Sequence, residues 1–411
     1  MRKQSGVSMI LIVLLAFTLL AAACGEDTSE TTAAPATTTT ASSAEPLKFG
    51  MILVGPQNDR GWSQAHFEAG QYLEEQLGAE MIVLDKVNSA DLPDKTVDQV
   101  AQDMINRGAQ LVFLTSDDMR DGALLAAELN PTVPMIWSSG DSAWAEGEAP
   151  APFDNLGNIM GRMEFGKMIA GCAAGLTTQT GSIAYLGPLI NDETRRLVNS
   201  AFLGASYCWE NYRGETTPLE FTVNWIGFWF NIPGFTLDPT QVANGFLDAG
   251  ADVIISGIDT TEALDVAGQA ADAGESVWAL PYDFDGACEL KPEICLGVPY
   301  FNWGPAYLEV AQSVIDGTFT ATWQWNGPDW TDLNNKETTA IGFVKGDGLS
   351  ADNASTLDQF IAGLADGSIN PLVGPLNYQD GSTYLADGET ATDQQIWYTK
   401  QLLEGVTGPS E

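Results

Sequence analysis

Histidine is almost missing from this sequence: His66 is the only one in 411 residues. There are five cysteines but no Cys-x-x-Cys spacing, so the ligand sets of a zinc site are lacking. Basic residues are scarce as well, 17 Lys and Arg against 55 Asp and Glu, and no basic cluster interrupts the formal charge of −38. Such a field repels nucleic acid and phosphate-rich ligands, and solubility or a saline habitat is the simplest account of it. Also absent are a Gly-x-Ser-x-Gly elbow and a phosphate-cradling Gly-x-x-x-x-Gly-Lys. Carboxylate pairs suited to glycosidic chemistry arise by coincidence in so acidic a chain. Neither an enzyme activity, nor a cofactor, nor a bound metal is expected.

What is present begins with an address. Arg2 and Lys3 precede an apolar run from Met9 to Leu20, broken only by Thr18, and Ala21, Ala22 and Ala23 then lead into Cys24. That run is too short for a transmembrane helix and has the order of a secretory signal. Residues 1–23 resemble a bacterial lipoprotein signal, which implies Cys24 as the acylated mature N-terminus. Ala21 stands where that pattern prefers Leu, and the alternative is a plain signal cut after an Ala-x-Ala. Residues 24–46 are rich in Thr, Ser, Ala and acids. Without apolar side chains to offset the entropy of ordering, they are expected to form a disordered tether. The expectation is therefore an extracytoplasmic, lipid-anchored monomer.

The remaining part, about 365 residues, exceeds what one core usually supports, so two lobes are expected. Leu47–Val54, Met81–Val87, Gln110–Thr115 and Val133–Ser138 read as buried strands. Gly61–Leu77 reads as a helix stopped by Gly78, and Val97, Val100, Ala101, Met104 and Ile105 share one face of another. The same grammar restarts at Gly181–Gly187. Strands at Leu219–Trp225, Ala251–Ser256 and Ser276–Tyr282 then alternate with helices at Glu193–Trp209, Thr240–Ala249 and Thr260–Ala273. Alternation of this kind makes parallel sheets covered on both faces, with ligands beyond the carboxyl ends of the strands. Cys172, Cys208, Cys288 and Cys295 are even in number, and an exported chain permits disulfides. Cys288 and Cys295 bracket a short loop containing Pro292 and are the better candidates for a bridge. Cys172 and Cys208, on two expected helices, either pair or stay free core thiols.

The loops after the strands carry the chemistry. Trp62 falls in the first turn after the first strand and either stacks on a flat ligand or packs on the lobe. Thr115-Ser116-Asp117-Asp118 follows the third strand; capping suits Asp117 or Asp118, and Ser116 serves either role. Trp225, Phe228, Trp229, Phe230 and Phe235 crowd one loop, as its core, as a ligand wall or as a docking surface. Asp259, Asp283 and Asp285 stand at strand ends, where they suit ring N–H groups, hydroxyls or a cation; for Asp259 helix capping is the alternative. His66 has no nucleophile partner and reads as a solvated or capping side chain. Asn302 is an expected cap for the helix opened by Pro305 and closed by Gly317, with Trp303 directed toward the cleft.

In order, several stretches resemble the basic membrane protein family of ABC-importer substrate-binding lipoproteins. They are Gly55-Pro56…Asp59-Arg60-Gly61-Trp62-Ser63-Gln64-Ala65-His66, Gly161-Arg162…Gly166…Ala170-Gly171, and Asn199 to Ala205. Gly250-Ala251-Asp252-Val253-Ile254, Tyr282-Asp283-Phe284-Asp285 and Asn302-Trp303-Gly304-Pro305 through Phe319 continue the match. Gly374-Pro375-Leu376…Gly381 and Trp397-Tyr398…Gly408 complete it, so the likeness runs from Leu47 to Gly408. The resemblance implies an α/β type I periplasmic-binding fold, two doubly wound lobes joined by three crossovers. The lobes are expected at 47–160 and 161–302, with 303–411 shared between them. It also implies permease and ATPase partners and a small ligand, a purine base or nucleoside, held between two aromatics. Trp62 and Trp229 match the stacking pair, and Asp283 the carboxylate for ribose hydroxyls. Asn58, Asp59, Ser116, Asp259 and Trp303 complete the expected ligand set. Nucleoside-binding members place a lysine where this chain has Asn302-Trp303, which favours a free base. A sugar ligand or a sensor subunit is the alternative.

Overall fold

The computed structural model describes residues 45–411; the signal segment, Cys24 and the tether as far as 44 lie outside the described residues. The chain opens with β1 (Lys48–Ile52), α1 (Trp62–Leu77), β2 (Glu80–Leu84), α2 (Val97–Asn106), β3 (Leu111–Leu114), α3 (Arg120–Leu129), β4 (Met135–Ser138) and β5 (Leu156–Gly161). A second run follows: α4 (Met163–Thr177), β6 (Ser182–Gly187), α5 (Asp192–Asn211), β7 (Glu220–Trp225), α6 (Pro239–Asp248), β8 (Val253–Ser256), α7 (Glu262–Asp272) and β9 (Trp278–Leu280). Then come β10 (Gly297–Phe301), α8 (Gly304–Ile315), β11 (Trp323–Asn326), β12 (Ile341–Lys345) and α9 (Ala351–Asp366). The last elements are β13 (Leu376–Asn377), β14 (Thr383–Leu385), α10 (Asp393–Trp397) and β15 (Val406–Thr407).

Two parallel sheets result. One is ordered β11-β5-β4-β3-β1-β2 and the other β15-β7-β6-β8-β9. Their central strands are apolar and buried throughout, as sheets covered by helices on both faces require. The chain passes from one layer to the other after β5, after β10 and between β11 and β12, and β10 pairs antiparallel with β12. The final segment leans on the second layer. Asn353 of α9 donates to the Leu176 carbonyl of α4 at 3.1 Å, and β15 extends the second sheet along β7.

Local signals set the helix ends. Asp59 accepts from the backbone N–H groups of Gly61, Ser63 and Gln64 at 2.9–3.0 Å, and Gly78 closes α1 at φ 63°. Asn191 and Thr194 form a capping box on α5, which aims its N-terminus at the gap between the sheets. Helices α4 and α5 approach backbone to backbone. A Cβ at Gly171 or Gly204 would lie 1.9 or 2.0 Å from a carbonyl oxygen of the facing helix, so only glycine fits at either position. A disulfide Cys172–Cys208 joins the same two helices, and a second joins Cys288 to Cys295. The choice left open for Cys172 and Cys208 therefore falls to pairing.

Some local expectations fail. Asn302 does not cap α8; its amide donates to the carbonyls of Lys336 (2.9 Å) and Thr339 (2.7 Å) and pins the loop ahead of β12. His66 is neither solvated nor a cap. It is wholly buried, stacks on Trp303 at 4.3 Å, and shares a hydrogen bond of 2.7 Å with the Tyr307 hydroxyl. Burial in that aromatic nest pushes its pKa well below the usual value, so the ring is neutral.

Candidate functional site

A cavity lies between the carboxyl ends of the two sheets, where strand-following loops of both layers converge. The first layer contributes Trp62 from the first turn of α1, Ser116 and Asp117 after β3, and Ser139 after β4. The second contributes Glu193 and Leu197 of α5, Trp229 after β7, Asp259 after β8, and Tyr282 after β9, with Tyr185 of β6 beneath. The space unfilled by protein atoms is about 410 Å³, partly open to solvent, and little of it is wide enough for the centre of a water molecule. The cavity is a narrow slot.

Its walls are held from behind. The Trp62 indole N–H donates to the Thr115 carbonyl at 2.5 Å, and the ring is braced edge-on by Phe301 (5.2 Å) and Trp303 (5.3 Å). With its N–H engaged, what the indole can offer a ligand is ring surface. Trp229 rides on the loop between β7 and α6, flanked by Phe228 and Phe230, which are buried in the core of the first layer. Its carbonyl accepts from the Asp259 N–H at 2.9 Å, tying together the loops after β7 and β8. Phe235 on the same loop stays exposed.

Burial makes the carboxyl groups of the lining harder to ionise. Burial raises Asp117 to about 6, with the nearby Asp141 and Asp118 pushing the same way. Burial likewise raises Glu193 to about 7, against the attraction of Arg196. Asp259 is held well above the carboxylate range by burial and by the charges of Asp283 and Asp59. Carboxyl groups so placed donate when protonated and accept when ionised, and they suit a ligand carrying both kinds of group.

The expected site residues divide. Trp62, Ser116, Trp229 and Asp259 line the slot. Asn58 is exposed and lines no part of it, and Asp59 is engaged in capping α1. Trp303 is not directed into the cleft: it is 3% exposed and supports Trp62 from behind, stacked between Phe301 and His66. Asp283 is wholly buried at φ 71°, lines no part of the slot, and its carboxyl oxygens have no hydrogen-bond partner among the described residues. Beside it Lys167, lowered to about 7 by burial, donates to the Ser256 carbonyl at 2.6 Å beneath the Tyr282 ring. In the turn after β3, Ser116 and not an aspartate is the cap, accepting from the Asp118 N–H at 3.2 Å. That leaves Asp117 free to face the slot. Ser139, Tyr185, Glu193 and Tyr282 were not among the expected site residues, and Asp117 was expected to cap instead of to line the slot. Glu193 carries the signature of a first-turn acid, and nothing local separates that role from a cavity wall.

Among the described residues no group of three or more His, Cys, Asp or Glu side chains is placed to hold a metal ion, and no helix is long and apolar enough to cross a membrane. Residues 47–354 match the family described as ABC transporter substrate-binding protein PnrA-like. The chain belongs to this family. Its members are binding proteins of ABC importers, which implies work outside the cytoplasm, a small-molecule ligand, and permease and ATPase partners. The family is not a class of enzymes.

Among relatives, a purine-binding protein of Brucella abortus is 27% identical over 364 residues, 88% of this chain and 93% of that protein. A putative ABC transporter glucose-binding protein of Haloferax volcanii is 26% identical over 287 residues, 70% of this chain and 66% of that protein. In structure, an ABC transporter solute-binding protein from Aeropyrum pernix superposes with a TM-score of 0.63 at 13% identity, covering 79% of this chain and 93% of its own. One from Conexibacter woesei gives 0.57 at 20% identity, with 79% and 98% covered. These likenesses, with the two parallel sheets, show the type I periplasmic-binding fold.

Proposed function

We propose that the chain captures a purine, as base or nucleoside, and delivers it to its permease. The observation that carries this reading is the narrow slot with Trp62 and Trp229 in its lining. A planar heterocycle fills such a gap and stacks on indole faces. Asp117, Glu193 and Asp259, with the Ser116 hydroxyl, then meet ring N–H, amino and carbonyl groups at its edge. The purine-binding name of the Brucella relative supports the same ligand class. Trp303 acts only through Trp62, and Asn58 and Asp59 make no ligand contact. The lobes 47–160 and 161–302 close on the ligand, the segment 303–411 being shared, and a monomer anchored by lipid at Cys24 works close to the membrane.

A sugar is the second reading. Indoles also cover pyranose faces, and the Haloferax relative bears a glucose-binding name. Titration with adenine, hypoxanthine, adenosine, guanosine, glucose and ribose decides between them. Purines are expected to quench Trp fluorescence and raise the melting temperature, because a ligand that binds only the folded state stabilises it. Silence towards all four purines, with a response to glucose or ribose, overturns the purine reading.

A further inference from the structure

The slot does not end at its carboxyl groups. Asp117, Ser139 and Glu193 are shared with a second chamber, in which about 840 Å³ is unfilled by protein atoms. Trp137 and Asp141 of the first layer and Asn191 and Arg196 of the second continue its wall, and Trp397 and Tyr398 complete it. These last two lie beyond residue 354, past the part of the chain that matches the family. They are built in, not merely near. The Tyr398 hydroxyl donates to Asp141 Oδ2 at 2.7 Å and accepts from the Glu148 N–H at 2.8 Å. Trp397 donates its indole N–H to the same carboxylate at 3.2 Å, and its carbonyl accepts from Arg196 at 3.0 Å.

Two buried polar atoms around this chamber lack partners among the described residues. Ser139, at the junction of slot and chamber, is 8% exposed, and its hydroxyl makes no hydrogen bond. It also holds φ 68°, a backbone conformation rarely adopted away from glycine and one that collects at ligand sites. Arg196 is 3% exposed, and its Nε makes no hydrogen bond. A buried donor and a buried hydroxyl left open cost free energy unless something occupies them.

We propose that the second chamber is a ligand subsite for a hydroxyl-bearing arm carried on the flat ring. A hydroxyl is the group that answers this lining, because it accepts from an arginine N–H or the Ser139 hydroxyl and donates to a carboxyl group. An anionic arm is disfavoured, since the acids Asp117, Asp141, Glu148 and Glu193 outnumber Arg120 and Arg196 in the lining, and Asp192 is already paired with Arg195. The subsite is distinct from the end of the slot at Asp259 and Tyr282, which the chamber does not share. The proposal rests on the purine reading and names what the purine carries.

Isothermal titration of the whole mature protein tests it, with adenine, adenosine, N6-(2-hydroxyethyl)adenine and N6-carboxymethyladenine as probes. At least one hydroxyl-bearing probe is expected to bind tenfold or more tighter than adenine, and the carboxymethyl probe no tighter than adenine. Ser139→Gly, which suits the positive φ and removes the hydroxyl, is expected to cut that advantage at least threefold relative to adenine. Asp141→Asn, in the chamber but not in the slot and keeping the shape of the side chain, gives a second variant with the same expected loss. Adenine binding as tightly as every hydroxyl-bearing probe overturns the subsite and leaves the purine reading standing. Variants that weaken adenine and the hydroxyl-bearing probes equally overturn it as well. No binding of any probe overturns both readings together.

Discussion

Replacing Trp229 with alanine removes one wall of the slot while leaving the loop that carries it anchored. The anchors are backbone and neighbours: the Trp229 carbonyl still accepts from the Asp259 N–H, and Phe228 and Phe230 still fill the core. Trp229 itself is only half-buried: one part of its ring packs on the first-layer core and another lines the slot. Stacking of a base on an aromatic side chain is worth about 1–3 kcal/mol by alanine substitution. The loss corresponds to a Kd about 5- to 150-fold weaker. Isothermal titration with the tightest-binding purine measures it, and melting of the ligand-free protein shows whether the fold has changed. The expected result is weaker binding with a melting temperature within a few degrees of the parent. A Kd within twofold of the parent refutes the stacking role. A large fall in melting temperature of the free protein shows the ring to be core instead. Trp62→Ala is the poorer probe, because that indole also holds Thr115 and braces Trp303.

Further outcomes follow from burial, cross-links and packing. Burial raises Glu164 from 4.5 to about 7 and Asp117 from 3.8 to about 6, so the folded state holds these protons more tightly than the unfolded one. Their contribution is full below the unfolded values and lost as pH rises to about 7, worth about 3 kcal/mol for Glu164. The ligand-free protein is therefore expected to melt lower at pH 7 than at pH 5, and a rise across that interval contradicts the assignment. His66, held neutral by burial, works against the trend below its ordinary value, and Lys167, lowered to about 7, opposes it only above that pH. Intact-mass measurement after alkylation without reductant should find all four described cysteines blocked. Breaking Cys172–Cys208, which spans 36 residues, should cost more than breaking Cys288–Cys295, which spans 7. Loop entropy puts the two at about 4 and about 2 kcal/mol, and equal losses in denaturant melts would contradict it. Gly204→Ala drives a Cβ into the Met168 carbonyl and should destabilise by about 1–3 kcal/mol; an unchanged denaturation midpoint would show that α4 and α5 can part freely.

The fold was legible because parallel α/β layers write themselves locally. β3 is an unbroken apolar run and β4 one that ends in Ser138, α1 ends at a glycine, and α5 starts at an Asn-Asp-Glu-Thr box. The slot was half legible. A residue directly after a strand is delivered to the strand's carboxyl end whatever the rest of the chain does, and Ser116, Trp229 and Asp259 belong to that class. Glu193 and Tyr185 do not. One sits in the first turn of a helix and the other inside a strand, and each becomes a wall only because the other layer closes over it. Asp59 shows the opposite failure. It stands in the right loop, but three backbone N–H groups at the start of α1 claim its carboxylate.

What the sequence determined by itself was the alternation of buried strands and amphipathic helices, and with it the two layers and the carboxyl ends at which their loops converge. Those follow from side-chain burial and backbone chirality over short stretches of chain. The tertiary structure alone decided which polar groups meet across the gap, because that depends on distances between residues far apart in the chain. His66 became a neutral core ring through Tyr307, 241 residues away. Asp141 became part of a chamber wall through Trp397 and Tyr398, more than 250 residues on.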